Sequence, residues 1–505
     1  MRRLSELPLL VILLALAALA MLLPAGHAMV SADYRVARSF FYASLLILFL
    51  TAMIAIATAN HRPRNLARSQ LAAVVLAYVV LPPVLAVPFH DAVQNTTFMN
   101  AWFEMLSCFT TTGATVYDEP SRLPASLHLW RALVGWLGGF FVLVSAIAVL
   151  APQNLGGFEV ISGGSVGRAA PGTQQISRIA DPSERIIRHA MELFPIYGGL
   201  TLLLWILLLT AGETGIVALS NAMATLSTSG ISPQRDLSEA VSGRTGELMI
   251  FLFFFFAISR RTLFTRLPTR VDLPLWRDPE VRMALVCIAI LPLFQFLQHW
   301  TGRFEEDQAR DLVRALRALW GSLFTTLSFL TTTGFVSEDW QAARLWAGPG
   351  SSGLILVGLA LIGGGVATAA GGVKLLRVYA LFKHGQHELD RMILPHVVGG
   401  EGPVARRLRG EGAYVAWIFF MLFAVSIAAT MALLTMTGLE FEPAMIFTVA
   451  ALSTTGPLAQ VGSDAPLSYA MLDPGAKIVL AAAMVVGRLE TLAILALLIP
   501  DSWRR

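Results

Sequence analysis

Four times in this chain a half-length apolar segment ends in a hydroxyl-rich tetrapeptide closed by glycine. Each time it lies between two apolar runs long enough to approach the thickness of a bilayer. The segments are NTTFMNAWFEMLSCF before Thr110-Thr111-Thr112-Gly113, GIVALSNAMATL before Ser227-Thr228-Ser229-Gly230, RALWGSLFTTLSFL before Thr331-Thr332-Thr333-Gly334, and EPAMIFTVAAL before Ser453-Thr454-Thr455-Gly456. A repeat of this kind governs every later assignment of fold. A single such tetrapeptide reads as an ordinary helix C-terminus, with hydroxyls bonding back to carbonyls and glycine in the left-handed region. Four in equivalent positions call for a common purpose.

The runs around them place the chain in the membrane. Hydrophobic residues make up 55% of the sequence and charged residues 14%, against about 25% in a soluble domain. Mean hydropathy is +0.66. A bilayer core takes about 20 apolar residues per helix, and the sequence predicts ten spans, near 7–30, 37–59, 68–90, 126–151, 188–211, 246–266, 281–300, 352–382, 411–437 and 476–499. The expected fold class is an all-α polytopic membrane protein: two N-terminal helices (1–62), then four membrane–pore–membrane repeats at 63–160, 185–270, 278–385 and 408–505 about one pore. The first run follows Arg2 and Arg3 and could be a cleaved signal, but it continues through Met29 and Val30 and reads better as an anchor. Arg and Lys concentrate after the even-numbered spans, at Arg62, Arg168, Arg178, Arg266, Arg270, Arg406 and neighbours, which puts those loops and both termini in the cytoplasm. The net charge of +4 fits these boundaries and calls for no nucleic-acid partner. Cys108 and Cys287 have no CxxC partner, so neither a disulfide framework nor a zinc site is indicated.

Backbone that leaves the helix at membrane depth is tolerated where it lines a water-filled cavity. Four such strips on one axis, at Thr111, Thr112, Gly113; Thr228, Ser229, Gly230; Thr332, Thr333, Gly334; and Thr454, Thr455, Gly456, would offer rings of carbonyl and hydroxyl oxygens in place of a cation's hydration shell. The half-helices would aim their partly negative C-termini at the same place. The tetrapeptides contain no carboxylate, and neutral, numerous ligands suit a weakly hydrated monovalent ion.

On these residues the chain resembles the Trk/Ktr/HKT superfamily of potassium transporters, and within it the bacterial TrkH type. Trp130-Arg131, Gly135-Trp136-Leu137-Gly138-Gly139, Ile196-Tyr197, Gly371-Gly372-Val373-Lys374, Gly487-Arg488-Leu489-Glu490 and the terminal Ser502-Trp503-Arg504-Arg505 carry the resemblance over nearly the whole chain. It departs at Ser229, where Thr-Gly-Gly is usual, and at Pro457-Leu458, where a Gly-Leu-Gly type is common. The resemblance implies potassium as substrate, potassium bound at the filter residues, a bacterial inner-membrane location and a homodimer. It also implies a peripheral NAD- or ATP-binding TrkA-like cytosolic subunit, since this chain has no nucleotide-binding motif and no tightly bound cofactor is expected.

The run Gly363-Gly364-Gly365 to Gly371-Gly372 is too glycine-rich to remain helical cheaply, at about 1 kcal/mol per Gly relative to Ala. Close helix packing is the plainer account; the family implies an intramembrane loop that gates the cytosolic side of the filter, with Arg488 facing the pore below it. Arg488 and Glu490 would otherwise form a structural pair. Lys374 and Arg377 read as interfacial, Lys477 as an interface anchor, and Glu104 as a brace for its half-helix. His384 and His387 lack a metal-site order, Gly163 to Gly167 follows no strand, and no nucleophile elbow or paired-acid motif marks an enzyme. A sodium-permeable or sodium/proton-coupled relative is the rival reading, with Gly113 against it because sodium-selective HKT members carry Ser there. A membrane enzyme or a scaffold leaves the four tetrapeptides without a role.

Overall fold

The computed structural model describes residues 8–58, 66–151, 182–262, 278–302, 312–347, 352–393, 411–463 and 465–489. Among them every element is helical. In chain order these are α1 (Leu9–Ala20), α2 (Leu22–Val30), α3 (Tyr34–Thr58), α4 (Leu66–Ala92), α5 (Phe98–Phe109), α6 (Ala125–Ser145), α7 (Pro182–Thr210), α8 (Gly215–Ser227) and α9 (Gly243–Phe254). There follow α10 (Pro279–Gly302), α11 (Leu312–Leu330), α12 (Trp340–Ala347), α13 (Ser352–Ile362), α14 (Leu375–Ile393), α15 (Glu411–Met436), α16 (Phe441–Leu452), α17 (Leu458–Val461) and α18 (Pro474–Leu489). Among the described residues six stretches are long and apolar enough to cross a membrane: Leu9–Val30, Tyr34–Thr58, Ser69–Ala92, Ala125–Leu150, Arg185–Thr210 and Gly412–Met436. Shorter apolar helices lie at Gly215–Ser227, Ala315–Leu330, Ser352–Ile362 and Phe441–Leu452.

Apolar side chains such as Leu45, Leu46, Phe49, Leu202, Ile206 and Val425 are exposed on the long helices. Only lipid makes such a surface stable. The inward faces use small residues. Ala18 is buried where α1 meets α3, and its carbonyl accepts from the Ser44 hydroxyl at 2.7 Å. Pro82, Pro83 and Pro88 sit inside α4, as membrane helices allow.

Two expected spans are interrupted. The run at 246–266 stops being α-helical at Phe254 and continues through the 3-10 turn Phe255–Ala257. The run at 352–382 breaks at Ile362 and resumes at Leu375. The two breaks meet: the N–H of Gly365 donates to the Ala257 carbonyl at 3.0 Å, so backbone released by one helix is satisfied by the other. Helix α12 and the π-turn Ala146–Leu150 had no signal in the hydropathy. Arg2, Arg3, Arg62, Gly163 to Gly167, Arg168, Arg178, Arg266, Arg270, Arg406, Glu490 and the 502–505 ending lie outside the described residues.

Candidate functional site

The half-helices α5, α8, α11 and α16 end in the same way. The first tetrapeptide hydroxyl turns back on its own helix: Thr110 to Leu106 O at 2.8 Å, Ser227 to Met223 O at 2.8 Å, Thr331 to Leu327 O at 3.0 Å and Ser453 to Val449 O at 2.6 Å. The second residue takes a left-handed φ of 54° at Thr111, 51° at Thr228, 57° at Thr332 and 55° at Thr454. The N–H of the third, at Thr112, Ser229, Thr333 and Thr455, then reaches a carbonyl five residues back, at 2.8 to 3.0 Å. A β-branched residue in the left-handed region is strained, and such strain persists only where the surroundings impose it. Its recurrence at four equivalent threonines is the geometrical signature of the site. The eight hydroxyl-bearing residues among the twelve expected, Thr111, Thr112, Thr228, Ser229, Thr332, Thr333, Thr454 and Thr455, are all buried.

The loops touch in cyclic order. A Cβ built on Gly113 would stand 2.1 Å from the Ser229 carbonyl oxygen, and one on Gly230 would stand 2.1 Å from that of Thr333. Gly334 faces the ring of Pro457, and the N–H of Gly456 donates to the Thr112 carbonyl at 2.6 Å. Loop one thus meets two, two meets three, three meets four, and four returns to one. Close approach is bought on the outside as well, because Gly138 of α6 lies against the Phe109 carbonyl and Gly487 of α18 against that of Leu452. These contacts use two of the glycines that carry the family resemblance.

Carboxylates brace the irregular segments that leave the loops. Glu104 is fully buried on α5; one oxygen accepts from Arg131 Nε at 2.7 Å, the other from Val116 N–H at 3.0 Å and the Thr115 hydroxyl at 3.1 Å. The bracing role expected for Glu104 is therefore what its contacts provide. Glu247 of α9 does the same for loop three, accepting from Glu338 N–H at 2.6 Å, Trp320 Nε1 at 2.7 Å and the Ser337 hydroxyl at 2.9 Å. Beside it Arg244 holds Asp339 through two hydrogen bonds of 2.7 and 3.1 Å. Sequence reasoning passed over Glu247, although a carboxylate inside an apolar run was the available signal. Beyond the first loop, Asp118 accepts from Ser468, Arg235 pairs with Glu119, and burial pushes the Tyr117 hydroxyl up to about 12.

Beneath the ring the 363–374 segment is irregular and buried. Gly363, Ala367, Gly372 and Lys374 all have positive φ. The Gly371 N–H donates to the Thr332 hydroxyl at 2.7 Å, and a Cβ on Gly371 would strike both Ser453 O and Thr454 Oγ1. Opposite the ring, the Val366 N–H donates to Glu280 Oε1 at 2.9 Å. The segment is thus pinned between loops three and four on one side and α10 on the other. Thr368, Ala370, Gly371, Lys374 and Arg488 line one small cavity.

Three cations differ from expectation. Lys374 and Arg377 do not reach an interface: Lys374 Nζ bonds the Ala370 carbonyl, and the Arg377 guanidinium stacks 3.7 Å over Phe419, fully buried. Lys477 is buried too, with Nζ 2.9 Å from Asn100 Oδ1. In each case a neighbouring carbonyl, amide or ring satisfies the head group better than the distant interface would.

The model of the family described as TrkH, cation transport protein, matches residues 247–504. The Trk system potassium uptake protein TrkH of Salmonella typhimurium is 30% identical over 433 residues, covering 85% of each chain. That of Vibrio parahaemolyticus is 28% identical over 504 residues, 98% of each. The crystal structure of the potassium transporter TrkH from Vibrio parahaemolyticus matches with a TM-score of 0.78 at 27% identity, covering 100% of both chains.

Proposed function

The chain belongs to the TrkH family of cation transport proteins, and from that premise we propose that it carries potassium across the bacterial inner membrane through the four-loop ring. The single observation that supports this most is the shared left-handed turn at Thr111, Thr228, Thr332 and Thr454; in this reading it turns neutral oxygens of four loops towards one place. In this reading the protein has ten spans in four pseudo-symmetric repeats plus two leading helices, and potassium is its substrate. As the family resemblance implies, it works as a homodimer with a TrkA-like nucleotide-binding subunit. Both termini face the cytoplasm. Cysteines placed at 168 and 406 are expected to react only from the cytosolic side of intact cells, and labelling from the periplasm would reverse the topology.

The 363–374 segment is the gate in this proposal, with Gly363, Gly364, Gly365, Gly371 and Gly372 allowing it to lie under the ring without bulk. Arg488 adds a charge. At about 8 Å and an effective dielectric of 20, its repulsion of a descending cation is on the order of 2 kcal/mol, roughly thirtyfold in rate. The test is rubidium uptake into liposomes holding the purified chain, with potassium and sodium as competitors. Potassium should compete far better than sodium, and Arg488→Ala should raise basal uptake about thirtyfold without a partner subunit. Equal competition by sodium favours the sodium-permeable rival. A folded Arg488→Ala protein no faster than its parent makes Arg488 structural.

A further inference from the structure

The fourth loop begins like the others and ends differently. Gly113, Gly230 and Gly334 have φ of 72°, 62° and 84°, a conformation Gly456 does not share. After Gly113, Gly230 and Gly334 the backbone runs on without helix, whereas Pro457 opens the one-turn helix α17. The Leu458 N–H returns to Thr455 O at 3.1 Å and the Ala459 N–H to Gly456 O at 3.2 Å. Leu458 and Ala459 are fully buried and anchor this turn.

The consequence is where the Pro457 ring lies. A Cβ on Gly334 would be 2.9 Å from its Cγ, one on Gly230 3.2 Å from its Cγ, and one on Gly113 3.6 Å from its Cδ. A single side chain within reach of three loops that follow one another around a ring stands at the mouth those loops share. The same residues line one cavity with Thr115, Asp118 and Gln460. Two backbone carbonyls at this level are also occupied. That of Thr112 accepts from Gly456 N–H at 2.6 Å, and that of Gly456 accepts from the Tyr469 hydroxyl at 3.0 Å. Tyr469 is held from behind by Phe103 and Phe447, at ring separations of 5.9 and 4.8 Å.

We propose that the Gly456–Pro457 turn is a built-in outer stop, and that Pro457 limits how fast a cation passes from the mouth into the ring. This inference rests on the potassium-filter reading of the four loops. The pyrrolidine ring offers no donor and no acceptor, so it cannot replace a water of hydration. A cation level with Gly334 therefore meets methylenes on one side of its path. For it to pass, the Pro457 ring leaves the three glycines, and the Gly456–Thr112 hydrogen bond between loops four and one opens with it. Tyr469 holds the stop closed by fixing the Gly456 carbonyl.

The experiment compares initial rubidium uptake by the purified full-length parent, Pro457→Ala and Tyr469→Phe in liposomes, each checked for monodispersity. Pro457→Ala removes two ring carbons and should raise the rate about tenfold. Tyr469→Phe keeps the aromatic packing, loses one neutral hydrogen bond and should raise it about fivefold. If Pro457→Ala does not fold, Tyr469→Phe decides alone. A parent that carries rubidium with folded Pro457→Ala at the same rate or slower, or with Tyr469→Phe so where Pro457→Ala does not fold, overturns the stop while leaving the filter reading intact. No uptake by parent or variants overturns both. A silent parent with conducting variants supports the stop.

Discussion

Gly113→Ser is expected to lower potassium uptake about tenfold or more and to shift the potassium-to-sodium ratio towards sodium. Two independent effects act at that position. A side chain at φ 72° costs on the order of 1–3 kcal/mol of backbone strain. The new Cβ would also stand 2.1 Å from the Ser229 carbonyl oxygen. That oxygen cannot simply withdraw, since the Ser229 N–H is tied to Ala224 O at 3.0 Å and its hydroxyl to Ser227 at 3.0 Å. The loops must part, and their carbonyls then meet a cation at different distances. A ring that is wider and less regular discriminates less between ions of different radius. Competition between rubidium and sodium in liposomes measures this directly. A monodisperse Gly113→Ser protein with the parent's flux ratio would remove Gly113 from the filter.

Arg131→Met should cost about 3–5 kcal/mol of stability, the usual penalty for leaving a buried charge without its partner. Glu104 is fully buried and its Oε1 lies 2.7 Å from Arg131 Nε. Its other oxygen holds Thr115 and Val116, two and three residues beyond Gly113, so the damage reaches the first loop. Detergent-solubilised Arg131→Met should melt well below the parent and transport poorly. Adding Glu104→Gln should restore part of the melting temperature, because the orphaned charge is gone, but not the transport rate, because the brace is weakened. Melting of Arg131→Met at the parent's temperature would show that the pair contributes little.

Much of the candidate site could be read in one dimension because its defining contacts are local. A hydroxyl that bonds four residues back and an N–H that reaches five residues back need nothing but the tetrapeptide and its own helix. The glycine run at 363–372 was legible for the same reason: helix propensity is a property of the residues themselves. The bracing carboxylates were less accessible. Glu104 finds Arg131 27 residues away and Glu247 finds Ser337 90 residues away, and no periodicity announces either distance.

The apolar runs and the four tetrapeptides in the chain itself determined that this protein lives in a bilayer and turns hydroxyl-bearing backbone away from four short helices. Burial cost and local hydrogen bonding decide both without reference to distant residues. Only the tertiary structure decided that loop four closes on loop one, that Pro457 reaches Gly113, Gly230 and Gly334 together, and that Lys374, Arg377 and Lys477 lie buried. Those outcomes depend on which groups meet after the helices have packed. A long cationic side chain bonds the nearest oxygen or aromatic face, and a turn points wherever its neighbours leave room.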